Sequence, residues 1–146
     1  MAFRDPYRGP GTATDTRTPT PARRPPPGPT SDATPMDCIF CKIVAGDLPS
    51  DRVHEDEHCL VFRDIQPQAP VHLLVIPKVH VGSLDELEDP ELAGVLLTTA
   101  GRMAREAGLG GGWRLIVNTG PDGGQEVGHV HLHVVGGQPL GRMLAG

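Results

Sequence analysis

Three histidines occupy alternate positions near the end of the chain, in the run His129-Val130-His131-Leu132-His133-Val134-Val135. Extended backbone sends successive side chains to opposite faces, so His129, His131 and His133 project to one side while Val130, Leu132 and Val134 project to the other. One face is chemical and the other is core. Three buried imidazoles in a row need partners for six ring nitrogens and repel one another when protonated, so the arrangement is unfavourable without a ligand or a metal. A neutral imidazole, with an ordinary pKa of ~6.5, is also a competent nucleophile near neutral pH. The bland alternative is a His-rich surface strand. A second chemical pair, Cys38 and Cys41, is three residues apart at a helix start, which turns both sulfurs to one side where the helix N-terminus favours thiolates. In a chain with three cysteines this pair points to a reducing compartment and to a metal site or a redox pair, with a disulfide scaffold disfavoured. Cys59, in a strand-like run, reads as a small hydrophobe. Gly123-Gly124, upstream of the histidines, is either a plain turn or a place where backbone N–H groups approach a phosphate.

The elements that must hold these residues follow from periodicity. Ile39, Phe40, Ile43 and Val44 recur at helical spacing behind Asp37, a good N-cap, and Gly46 ends the pattern. Residues 52–55 and 59–63 read as a hairpin joined by Asp56-Glu57-His58, and 71–76 as an inner strand between Pro70 and Pro77. Residues 84–107 keep a helical pattern that Pro90 interrupts and Gly108 ends. Residues 113–118 and 130–135 are the last two strands, separated by a turn-rich loop. This order predicts an α+β fold, an antiparallel sheet covered on one face by helices.

Composition separates the chain into two parts, an N-terminal tail 1–36 and a folded domain 37–146. Nine of the sixteen prolines lie in the tail, which is Pro/Thr/Arg-rich and offers almost nothing apolar to bury, so it is expected to be disordered. Arg23-Arg24 is followed by Pro-Pro-Pro-Gly where an export signal needs an apolar stretch, which points to a cytoplasmic protein, and Met36 is a second possible start. The tail has five Arg against three Asp, leaving the domain acidic with eight basic against fifteen acidic side chains. Such a surface lacks the cationic footprint of a nucleic-acid binder, and no apolar run approaches the ~20 residues of a membrane span.

The histidine run resembles the signature of the histidine triad (HIT) superfamily. The resemblance covers residues 37–145 and is closest to the Hint branch, in Cys38-Ile39-Phe40-Cys41-Lys42-Ile43, Phe62-Arg63-Asp64-Ile65, Pro67-Gln68-Ala69-Pro70-Val71-His72, Ile76-Pro77-Lys78 and Asp122-Gly123-Gly124-Gln125-Glu126-Val127. The ending Gly136-Gly137-Gln138-Pro139-Leu140-Gly141-Arg142-Met143-Leu144-Ala145 is similar to bacterial Hint proteins. The resemblance implies a five-stranded antiparallel sheet with two helices, dimerising into a ten-stranded sheet as a homodimer. It implies hydrolysis of purine nucleoside phosphoramidates or acyl adenylates to AMP, with His131 attacking phosphorus, His133 contacting the phosphate oxygens and His72 holding the imidazole cluster in its tautomer. Ile39, Phe40, Ile43, Phe62 and Ile65 would wall the base and Asp64 would accept from the ribose. Asn118, Gly124, Gln125 and Glu126 would line the nucleotide, the last through its N–H, because eukaryotic relatives carry Ser there and a carboxylate repels phosphate. It also implies structural zinc held by Cys38, Cys41, His80 and His129, the alternative being two reduced cysteines packed on a helix. The competing functional readings are a nucleotide-binding interaction module and a dinucleoside polyphosphate hydrolase.

Overall fold

The computed structural model describes residues 37–143, and the tail 1–36 lies outside the described residues. Helix α1 spans Ile39–Ala45 and is capped by Cys38, whose Sγ accepts from the Cys41 N–H at 3.3 Å. The expected cap, Asp37, is one residue too early, and the thiol takes the role because it is the group in reach of the first free N–H. Gly46, at φ 88°, ends the helix in the left-handed conformation that glycine adopts without a steric penalty.

Strands β1 (Arg52–Glu55) and β2 (Cys59–Arg63) form the expected hairpin. Its turn is tied by Asp56, whose Oδ1 accepts from the N–H groups of His58 and Cys59 at 2.7 and 2.9 Å. Strand β3 (Val71–Pro77) pairs with β2 on one side and with β5 (Leu132–Gly136) on the other, and β4 (Trp113–Ile116) closes the order β1-β2-β3-β5-β4, antiparallel throughout. Both last strands are offset from their sequence-based limits: β4 stops before Val117 and Asn118, and β5 starts after His131.

Helix α2 runs Pro90–Glu106. Pro90 does not interrupt a helix; it occupies the first turn, where a missing N–H costs nothing, and Asp89 caps it by accepting from the Glu91 N–H at 2.9 Å. The residues before it form only a 3₁₀ turn, Leu84–Glu86.

The helices sit on opposite faces of the sheet, a correction to the one-sided cover the pattern suggests. Leu96, Ala100 and Met103 of α2 pack with Val61, Leu73, Val75, Val130, Leu132 and Val134, whereas Phe40 and Ile43 of α1 pack with Leu60, Phe62, Leu74 and Ile76. Alternation along each strand explains the two cores, since neighbouring residues of β2 and β3 go to different layers. It also decides where chemistry can occur. The histidine face is the α1 face, so the cysteines at the start of α1 and the last imidazoles meet on the same side.

Candidate functional site

Of the three alternating histidines only His133 lies within β5; His129 and His131 precede it on extended chain that the Val130 N–H anchors to Val81 O at 2.7 Å. The alternation survives, with Val130 at 0 % exposure in the α2 core and His129 and His131 buried opposite.

Hydrogen-bond directions assign the tautomers. The Gln68 N–H donates to His72 Nδ1 at 3.0 Å, so the His72 proton is on Nε2. That N–H faces His133 Nδ1 at 2.9 Å and Asp64 Oδ2 at 3.3 Å. His133 Nδ1 is therefore an acceptor and its Nε2 carries the hydrogen, and this buried Nε2 has no partner in the protein. His131 donates from Nδ1 to the carbonyl of His129 at 2.8 Å, which leaves the lone pair on Nε2. Burial pushes the His133 imidazole down to about 4, with the neighbouring His131 and His72 adding to the effect and Asp64 opposing it. Burial lowers His72 as well, again against Asp64. These rings are thus held neutral, as directed donors and acceptors. Phe40 stands edge-on to His131 with centroids 5.1 Å apart and also meets Phe62 at 5.7 Å.

The imidazoles open into a cleft of about 290 Å³ lined by Asp64, Gln66, Gln68, Asn118, Gly124, Glu126, His72, His131 and His133. Asp64 keeps one oxygen on the Gln66 N–H at 2.8 Å, so it is at once a turn cap and part of the lining. The loop before the histidines is tight: a Cβ on Gly123 would fall 2.5 Å from Thr119 O, and Gly124 sits at φ 80°. Its brace is Gln125, whose amide accepts from the Gly120 N–H at 3.0 Å and donates to Gly82 O and Val127 O at 2.7 and 2.9 Å. Gln125 thus faces the loop interior and its side chain is no part of the cleft lining, unlike Glu126, whose N–H has no partner among the described residues. Among the expected base-walling residues, Phe40, Ile43 and Phe62 belong to the α1-side core. Ile39 and Ile65 are 46 % and 91 % exposed. Gln68 carries no chemical signal in its side-chain type; it lines the cleft and gives His72 a main-chain donor, and the sequence signals for it are the turn-forming prolines and the family-like run Pro67-Gln68-Ala69-Pro70-Val71-His72.

On the other side of His131, Cys38, Cys41, His80 and His129 bring two sulfurs and two ring nitrogens within 4.8 Å of one another. His129 Nε2 donates to Pro77 O at 2.9 Å, which aims its bare Nδ1 at Cys38 Sγ (3.3 Å) and Cys41 Sγ (3.5 Å). His80 Nδ1 lies 3.2 Å from Cys41 Sγ. Tetrahedral zinc, with bonds near 2.3 Å to sulfur and 2.0–2.1 Å to nitrogen, sets S···N at about 3.5 Å, so this donor set fits that ion. Burial pushes the Cys41 thiol up to about 11, reinforced by the hydrogen bond and charge of Cys38, and a bound cation would reverse that preference. Burial likewise lowers His129 to about 4, keeping it in the neutral ligand form.

The family model of the HIT domain matches residues 45–140. The chain belongs to the HIT domain family. The match begins at the last residue of α1, so the two cysteines precede the matched region while the triad, His72 and His80 fall inside it. An uncharacterised HIT-like protein of Synechococcus elongatus is 50 % identical over 106 residues, covering 71 % of this chain and 93 % of that protein. A purine nucleoside phosphoramidase of Escherichia coli K12 is 44 % identical over 110 residues, 73 % of this chain and 92 % of that enzyme. The crystal structure of a HIT family hydrolase from Legionella pneumophila is similar at a TM-score of 0.69 and 46 % identity, covering 71 % of this chain and 96 % of that one. The five-stranded antiparallel sheet with two helices is the HIT fold.

Proposed function

We propose that this HIT domain is a hydrolase of purine nucleoside phosphoramidates or acyl adenylates that releases AMP through a nucleotidyl-histidine intermediate. The observation that carries the reading is the directed hydrogen-bond chain: it leaves an unprotonated Nε2 on His131 and an unpartnered N–H on His133 at the same cleft. An attacking lone pair and a donor for the phosphate oxygens are what displacement at phosphorus requires. In the first step a bond forms between His131 Nε2 and phosphorus as the bond to the amine or acyl group breaks, the leaving group taking the electron pair and, if an amine, a proton from solvent. In the second, water attacks the same phosphorus, the P–N bond breaks with its electron pair returning to His131 Nε2, and the proton of the water goes to solvent. In this reading Asp64, which lines the cleft, would accept from the ribose, and the N–H groups of Glu126 and His133 would donate to the phosphate. The 44 % identity to a purine nucleoside phosphoramidase supports the substrate class.

Cys38, Cys41, His80 and His129 would hold zinc, whose role there is structural: it joins α1 to the segment leading into β5. His129 is then a ligand and takes no part in the chemistry. We also propose a homodimer formed along the outer edge of β4. The test of the reaction is release of AMP from an adenosine phosphoramidate, followed by mass spectrometry of protein quenched in alkaline denaturant, in which a P–N bond to histidine survives. An adenylated peptide bearing the label on His131 is expected; equal AMP release by the wild type and His131→Ala would sink the reading.

A further inference from the structure

The charges around the cleft are one-sided. Its lining contains two carboxylates, Asp64 and Glu126, and no lysine or arginine. Two guanidiniums line adjoining cavities, and both are engaged elsewhere: Arg114 donates to Gly141 O and Arg63 pairs with Asp51. His72 and His133 do not balance the carboxylates, because burial holds them toward the neutral form. Asp64 is engaged with His72 and with the Gln66 N–H, whereas the exposed Glu126 carboxylate makes no hydrogen bond or ion pair among the described residues. Nor is Glu126 a loosely placed surface residue: its neighbour Gln125 is held at three points, and Gly124 at φ 80° sets the direction of the turn that presents it.

We infer that Glu126 selects the leaving group by charge, favouring substrates whose amine half carries a second, positively charged group and disfavouring those with an anionic one. This rests on the phosphoramidase reading. With the nucleoside on the Asp64 side, the loop wall that bears Glu126 flanks the other substituent on phosphorus. A singly charged phosphoramidate is met there by uncharged N–H donors. A remote ammonium adds attraction to an unpaired carboxylate; a carboxylate or a chain of further phosphates adds repulsion that no basic residue in the lining relieves. The same inventory disfavours dinucleoside polyphosphates, whose leaving half is anionic.

The experiment uses the full chain and three adenosine phosphoramidates that differ only at the far end of the amine, which bears an ammonium, a hydroxyl or a carboxylate. Wild-type kcat/KM is expected to fall in that order by about fivefold per step, what ~1 kcal/mol between partly solvated unit charges yields. The spread should shrink as salt is raised. Glu126→Gln should compress the three values toward one another, and Glu126→Asp should restore the order, which a purely structural role for this residue would not do. Wild-type turnover of all three substrates without that order, or an order that Glu126→Gln preserves, overturns the inference while leaving the hydrolase intact. Absence of turnover on all three instead defeats the phosphoramidase reading, and the selection with it.

Discussion

At the level of single residues, the site works by keeping imidazoles neutral and fixing which nitrogen holds the proton. His131→Ala should lower AMP release by at least about a thousandfold, because a covalent route has no substitute for its nucleophile. Acid should act on the fold as well as on the rate. The unfolded chain binds a proton at an ordinary histidine near pH 6.5, whereas folded His133 resists protonation until about 4, so the unfolded state holds more protons in between. Stability is then undiminished by this group above 6.5 and falls as the pH drops from 6.5 toward 4, and the lowered His72 acts in the same direction. Melting temperature measured across that range should decline, and His133→Asn should make the decline shallower. The alternation of the triad could be read directly, since a period of two needs no tertiary information. The partners of these rings could not: His72 meets His133 across 61 positions through the register of β3 and β5, and Cys38 meets His129 across 91 through the packing of α1 on the sheet. Without the family resemblance nothing in the spacing would join them.

At the level of elements, the strands were legible because β-rich runs are punctuated by Pro, Gly and Asp, and the hairpin and β3 fall where those signals place them. The errors in helix limits came from capping chemistry. Cys38 displaced Asp37, and Pro90 began a helix it was expected to break. Asp89→Ala should therefore destabilise the protein by about 1 kcal/mol in urea titration without altering the cleft, since the cap holds the start of α2, on the far side of the sheet. Gln125→Ala should behave differently. Its three bonds lie within the loop that carries Gly124 and Glu126, so loss of turnover should exceed loss of stability; a variant that keeps full turnover would show that the brace is dispensable.

For the molecule as a whole, the sheet ends at β4 on one side and at β1 on the other, and an edge strand offers unpaired N–H and C=O groups for another chain. Light scattering should give the mass of two chains if β4 edges join. Zinc is testable at the same scale: elemental analysis under reducing conditions should find about one zinc per chain, and a chelator should lower the melting temperature, with Cys38→Ser reproducing the loss. The helices on opposite faces give that result its meaning. Helix α1 packs against a small apolar cluster, so an ion bound by Cys38, Cys41, His80 and His129 would carry a large share of its attachment.

The proton order in the cleft begins at a main-chain group, the Gln68 N–H, and this has a consequence for mutation. Side-chain replacement at position 68 leaves the amide in place, so His72 keeps its tautomer under almost any substitution. Proline alone removes the hydrogen. A saturation library at this position should therefore return near-uniform activity with a single dead member, a mutational profile that would mislead anyone judging the position's importance by how much variation it tolerates.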